Sequence, residues 1–263
     1  MSEPWILLRG LTRESRHWGG FATLLAARDG ALPIDLPGNG TQAGERSPFE
    51  VDAYVDALRA EAQWRGARAP YRVLAMSLGG MVATAWALRY PEEIERLVLV
   101  NTSMRPYSRV YERLRPSAWP ALVRVARHWD GSDSEGIAET LIHGLTCARR
   151  DTFAADIEAW RAIRENAHVS RANALRQLAA AARFKARGVP RCTVLVVSSR
   201  GDRLVNPVCS ARVARAWGAW HVEHPWAGHD LPHDDPQWLV DTLHAGQINP
   251  EPGNAAGQAA GRV

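Results

Sequence analysis

Lysine is almost missing from this chain: of its 32 basic residues, 31 are arginine and one is Lys185. Cysteine is scarce as well. Cys147, Cys192 and Cys209 are odd in number, widely spaced and without a C-x-x-C pair. That argues against a disulfide framework or a zinc site and fits a reducing cytoplasm. The longest uncharged apolar stretch, residues 73–88, falls short of the roughly 20 residues of a membrane span and is broken by Ser-Leu-Gly-Gly. The opening MSEPWILL has no basic n-region, long apolar h-region or small-residue cleavage site. No signal peptide is expected, and no internal repeat is present. A net charge of +4 without a recognition motif gives no case for nucleic acid. The expectation is a soluble cytoplasmic protein with neither a nucleic-acid nor a membrane partner.

What is present is a chain of 263 residues, 46% hydrophobic, long enough for one large α/β domain with an insertion. Short Val/Leu/Ile runs recur at WILLRG (5–10), LPIDLPG (32–38), YRVLAMS (71–77), RLVLVNT (96–102), TVLVVSS (193–199) and AWHVEH (219–224). Continuous apolar runs of this length predict strands covered on both faces, as in a parallel sheet. Helical patterns alternate with them. SPFEVDAYVDALRAEAQ predicts a helix with Ser47 as N-cap, Pro48 at the first position and Glu50 completing a capping box. The helix after Ser77 is expected to end at Tyr90-Pro91, and PVCSARVARAW and PQWLVDTLHA supply two more. This βαβα order predicts a doubly wound, mostly parallel sheet of about six strands.

Residues 104–188 break the alternation. They carry 15 basic and 9 acidic side chains against 17 and 19 elsewhere, and all of their patterns are helical. The expected organisation is an α/β core (1–103 and 189–247), a helical cap (104–188) inserted before the fifth strand, and a disordered tail (248–263).

Ser77 stands where an apolar strand meets an apolar helix, in AMSLGG. A serine on such a turn projects its hydroxyl above the sheet edge, near unpaired N–H groups of the helix start. Ala75 occupies the place of the first glycine of G-x-S-x-G, so the motif alone is weak. The plain alternative is a small residue at a tight turn. A nucleophilic serine needs a base and an orienting acid, in the chain order Ser, Asp, His for this kind of fold. Asp202 lies just past the fifth strand, and His229 lies in WAGHDLP, just past the sixth. His221 and His224 fall on the sixth strand and His233 before a helix cap; His17, His128, His143, His168 and His244 read as surface or packing residues. The backbone N–H groups of Leu78 and of Leu11, which follows Gly10, are candidates for an oxyanion hole.

LLRGLTRESRHWGGF, IDLPGNG, AMSLGGMVATAWALRYPEEIERLVLVNTS, SSRGDRLVNP and AGHDLPHDDPQWL, in this order, resemble the α/β-hydrolase superfamily. Among its branches the chain looks most like small capped serine carboxylesterases, including the pimeloyl-carrier-protein methyl ester esterases. The resemblance implies a Ser77–Asp202–His229 triad, oxyanion donors at Leu11 and Leu78, a helical cap and no cofactor. Three features depart from the family. Ala75 replaces a glycine; Arg9 stands where a histidine is usual, either to brace the loop or to meet a substrate anion; only four residues precede the first strand.

In the cap, MRPYSRVYERLR reads as a helix with Arg105, Arg109 and Arg113 on one face. That face is either solvated or turned to an acidic partner such as an acyl-carrier protein. Trp119, Trp129, Trp160 and Trp226 are candidate pocket residues. Gly38-Asn39-Gly40-Thr41-Gln42-Ala43 fits G-x-G-x-x-A, but the next helix starts too late to cradle a pyrophosphate. HDLPHDD and HVEH hold metal-ligand residue types, but their spacing and the lack of clustered cysteines argue against a catalytic metal. The expected activity is hydrolysis of carboxylic esters of small to medium acyl chain. A thioesterase or carbon–carbon hydrolase on the same triad, and a non-catalytic binding protein, are the alternatives.

Overall fold

The computed structural model describes residues 3–129 and 136–245. Six strands form one parallel sheet: β1 (Trp5–Leu8), β2 (Ala31–Ile34), β3 (Tyr71–Met76), β4 (Ile94–Val100), β5 (Thr193–Ser199) and β6 (Trp220–His224), ordered β2-β1-β3-β4-β5-β6. The chain runs outward from β1 to β2, then returns past β1 to β3. The ends of β1 and β3 therefore lie side by side at the point where the winding reverses, which is where open α/β sheets place functional loops.

Alternate strand residues feed two separate cores. Ile6, Leu8, Val73, Ala75, Leu97 and Leu99 face α2 (Val51–Trp64), α3 (Ser77–Arg89) and α9 (Val208–Trp217). Trp5, Leu7, Leu74, Met76, Val98 and Val100 face α1 (Gly19–Asp29) and α11 (Pro236–Ala245). Both faces of the central strands are sealed, which explains the unbroken apolar runs.

Between β4 and β5 the described residues form the helices α4 (Val110–Arg113), α5 (Trp119–Arg127), α6 (Ile137–Thr146), α7 (Phe153–Asn166) and α8 (Arg171–Arg183), with one isolated β-bridge between Arg105 and Lys185. Val125, Trp129, Ala138 and Val169 make a small core of their own there. A short α10 (Leu231–Asp234) precedes α11. No described helix is long and apolar enough to cross a membrane. The expected tail, 248–263, lies outside the described residues.

Two local expectations are corrected. Ser47 does not cap α2, whose N-cap is Glu50 without a side-chain bond. Ser47 is instead buried, donating from Oγ to Pro37 O at 2.7 Å while its N–H meets Asn173 Oδ1 at 3.0 Å. The arginine stripe is not a helix face either, because α4 is a single turn. Arg113 donates to the carbonyls of Ala181 (2.5 Å) and Ala182, and Arg105 to that of Arg183. These are unpaired carbonyls of the last turn of α8, where cations are favoured by both hydrogen bonding and the helix dipole. Local periodicity did not register that distant demand.

Candidate active site

Ser77 begins α3 directly after β3 and has φ 49°, a left-handed value that costs a non-glycine residue about 1–2 kcal/mol. The surroundings enforce it. A Cβ on Gly79 would fall 2.5 Å from Arg9 O and 2.6 Å from Leu8 O, so α3 can start this close to β1 only with glycine at that position. Thr102 Oγ1 donates to Ser77 O at 2.8 Å from the end of β4. Ala75, by contrast, is unstrained: it is wholly buried and its methyl belongs to the apolar core beside Leu8 and Leu99. Ala75→Gly is expected to cost about 1 kcal/mol of stability and to leave turnover within about threefold; a tenfold change in kcat would make the methyl a positioner of Ser77.

The loop after β1 lies on the serine. A Cβ on Gly10 would sit 3.0 Å from Ser77 Cβ and 3.5 Å from Oγ. Leu11 and Thr12 follow in a turn closed by Arg13 N–H to Gly10 O at 3.3 Å. Thr12, with φ 56°, donates its N–H to Gln177 Oε1 at 2.8 Å. Gln177 on α8 is fully buried and also donates to Asn39 Oδ1 (2.6 Å) and Ser47 Oγ (3.1 Å), while Asn39 donates to Arg13 O (2.9 Å). α8 thus grips the loop that carries Leu11. At the other side of Ser77, the Leu78 N–H belongs to the first turn of α3, where no intrahelical acceptor exists.

Asp202 and His229 meet as a buried pair, Nδ1 to Oδ2 at 2.7 Å. The other aspartate oxygen accepts the N–H groups of Leu204 and Val205, both at 2.8 Å, which fixes the carboxylate plane. With its Nδ1–H spent on Asp202, the imidazole keeps Nε2 as its basic atom. Burial alone would lower the His229 pKa, but the Asp202 charge and hydrogen bond outweigh it and the net direction is upward. The rival histidines are otherwise engaged. His221 bonds Ser198 Oγ (2.9 Å), and His224 accepts the Ala227 N–H (2.9 Å) while its Nε2 faces Asp235 (3.2 Å).

Three residues that the sequence reading missed hold this loop. Asn101, with φ 47° at the end of β4, donates to Ser199 Oγ (2.9 Å) and His229 O (2.8 Å) and accepts the Ser199 N–H (2.9 Å). Asp234 accepts the N–H groups of Gly228 (2.7 Å), Ala148 (2.9 Å) and Arg149 (2.9 Å), tying the His229 loop to the end of α6. Asp230 forms a bidentate pair with Arg9 at 2.6 and 2.9 Å, each side chain about 4% exposed. The Arg9 guanidinium also lies over Trp18 at 4.9 Å. Arg9, the residue before Gly10, is thus tied to Asp230, the residue after His229. Burial opposes ionisation of Asp230, but the Arg9 charge wins and brings its pKa down to about 2.

The tryptophans separate. Trp129 is buried with Val125, Ala138 and Val169, its Nε1–H on Val169 O (2.8 Å). Trp160 is buried beneath Arg13, at 4.3 Å. Trp119 on α5 and Trp226 beside His224 are half-exposed. A hollow of about 420 Å³ is lined by Arg115, Gly144, Arg200 and Asp202 among others, but by neither Ser77 nor His229.

The sequence and fold have relatives. A family model described as "Alpha/beta hydrolase family" matches residues 5–242. A pimeloyl-[acyl-carrier protein] methyl ester esterase of Chromobacterium violaceum is 33% identical over 151 residues, 53% of this chain and 54% of that protein. One of the same name from a Shewanella species is 39% identical over 92 residues, 34% and 29% of the two chains. The matches thus span about half or less of these relatives. Among solved structures, a thermophilic esterase of Thermogutta terrifontis superposes with TM-score 0.71 at 23% identity, over 94% of this chain and 89% of that one. The enol-lactonase of Burkholderia xenovorans gives 0.72 at 19%, over 93% and 91%. At these identities the structures show the shared fold alone, but the family match runs from β1 into α11, and the chain belongs to the alpha/beta hydrolase family.

Proposed function

We propose that this protein is a serine hydrolase of carboxylic esters, with Ser77 as nucleophile, His229 as base and Asp202 as orienting acid. The observation that carries the reading is the 2.7 Å Asp202–His229 pair on the same sheet edge as a serine held in a left-handed elbow. His229 Nε2 takes the Ser77 proton as Oγ attacks the carbonyl. The N–H groups of Leu78 and Leu11 stabilise the oxyanion, at about 10²–10³ in turnover per donor. His229 then protonates the leaving alcohol, and water attacks the acyl-enzyme by the reverse roles. Asp202 holds the tautomer and stabilises the imidazolium.

The names of the curated relatives favour an ester carried on an acyl-carrier protein. With Arg105 and Arg113 turned to α8, an acidic carrier would meet the exposed Arg124 and Arg127 on α5, the helix that also carries the half-exposed Trp119, or the exposed Arg109. A panel of methyl esters and thioesters of increasing acyl length, free and carrier-bound, tests both reaction and substrate. Turnover of thioesters alone would favour the thioesterase alternative, and no turnover with no acyl-enzyme burst would favour the binding protein.

The pH profile follows from the raised His229 pKa. The base works only when neutral, so kcat/KM is expected to fall as pH drops through a midpoint above the ordinary histidine value of about 6.5. A midpoint below 6 would contradict this coupling to Asp202.

A further inference from the structure

We propose that His143, Cys147 and His233 form a zinc site that pins the helical cap onto the loop carrying His229, with Asp156 beside the two histidines. One donor atom from each of the three lies within 4.8 Å of the others. Asp156 Oδ2 lies 3.1 Å from His143 Nε2 and 2.9 Å from His233 Nε2. His143 and Cys147 are buried and His233 is largely so.

The donor set chooses the ion. A thiolate with two imidazoles suits Zn²⁺, whereas calcium and magnesium take oxygen ligands. Zinc bonds of about 2.0–2.3 Å need donors about 3.3–3.8 Å apart, so the side chains would draw in by about 1 Å. Phe153 and Trp160 stack on His143 at 5.0 and 5.2 Å and supply the apolar shell that such sites use.

The donors are already fixed by contacts that owe nothing to a metal. His143 and Cys147 lie four residues apart at the end of α6, and Asp156 is on α7. His233 is on α10, and the neighbouring Asp234 holds Ala148 and Arg149 by their N–H groups. Thr146 O accepts the Asp230 N–H at 2.8 Å, and a Cβ on Gly228 would strike it at 2.5 Å. The seam between cap and His229 loop is therefore closed on both sides of the cluster.

His233 faces Asp156 with one ring nitrogen and Asp234 with the other (3.5 Å). The exposed Arg150 lies 3.2 Å from His143 Nδ1.

The test needs no enzyme activity. The full chain without a histidine tag is stripped with chelator, titrated with ZnCl₂ by calorimetry, and repeated with Co²⁺ by absorption spectroscopy. Expected are one ion per chain, a Tm rise of about 5 °C or more at saturating zinc, and a cobalt–thiolate charge-transfer band. Cys147→Ser abolishes that band, and Cys147→Ser and His233→Asn each weaken zinc binding at least about tenfold; Cys192→Ser changes neither. Substoichiometric or unsaturable binding with no Tm rise, or equal affinity in the folded Cys147→Ser variant, would overturn the site.

Discussion

Replacing Ser77 by alanine is expected to lower ester turnover by about 10⁵–10⁶-fold while leaving the fold intact. The size follows from the proposed chemistry. Without Oγ there is no acyl-enzyme, and the remaining rate comes only from binding and from the N–H groups of Leu78 and Leu11. Triad members act as a unit, so Ser77→Ala combined with His229→Gln should be scarcely slower than Ser77→Ala alone. Stability should change little. Alanine keeps the Cβ that packs beside Gly10, and the Ser77 bond to Thr102 is made by the backbone carbonyl. A loss below about tenfold would remove Ser77 from the nucleophile role.

The second large effect is expected at the Arg9–Asp230 pair. Arg9→Met strands a buried carboxylate, which typically costs about 3–5 kcal/mol. That corresponds to a Tm drop of about 10 °C in a chain of this size. Asp230→Asn should also destabilise, and the apolar double variant Arg9→Met/Asp230→Leu should recover much of the loss because neither charge is left alone. The pair is also linked to pH. The folded pKa of Asp230 is held near 2, so its contribution is full above the ordinary carboxylate pKa of about 4 and is lost as pH falls through about 2. A purely structural brace would stop there. The charges also act on His229: Asp230 raises its pKa and Arg9 lowers it. Asp230→Asn should therefore move the acid limb of kcat/KM downward and Arg9→Met upward. Unshifted limbs in both variants would confine the pair to stability.

Where a structural demand is local, the sequence showed it. Val/Leu runs became the strands, buried on both faces in β1, β3, β4 and β5 but only partly buried in β2 and mostly exposed in β6, which lie at the sheet edges, and Ser77, Asp202 and His229 each stood just past one of them in the required order. Pro236 and Asp235 marked the start of α11, where Asp235 Oδ1 accepts the Trp238 N–H at 3.1 Å. The demands that went unread are long-range. Arg9 and Asp230 are 221 residues apart, and Thr12 and Gln177 are 165 apart. Nothing in RGLT or HDLP announces an ion pair, although a charged residue inside an apolar strand end was a hint that it needed a partner. Asn101 follows β4 with no motif around it. Its left-handed φ and its bonds to both neighbouring loops have no one-dimensional trace. The same holds for His143, Cys147, Asp156 and His233, each unremarkable alone. His143 reads as a packing histidine until α6, α7 and α10 bring the four together.

The most direct measurement of the central proposal is the site of covalent capture. The chain is incubated with a fluorophosphonate, digested and mapped by mass spectrometry, alongside Ser77→Ala and Asp202→Asn. Expected is one adduct per chain on Ser77, absent in Ser77→Ala and formed much more slowly in Asp202→Asn. An adduct on any other residue, or no adduct in a chain that hydrolyses esters, would contradict the assignment of Ser77 as the nucleophile.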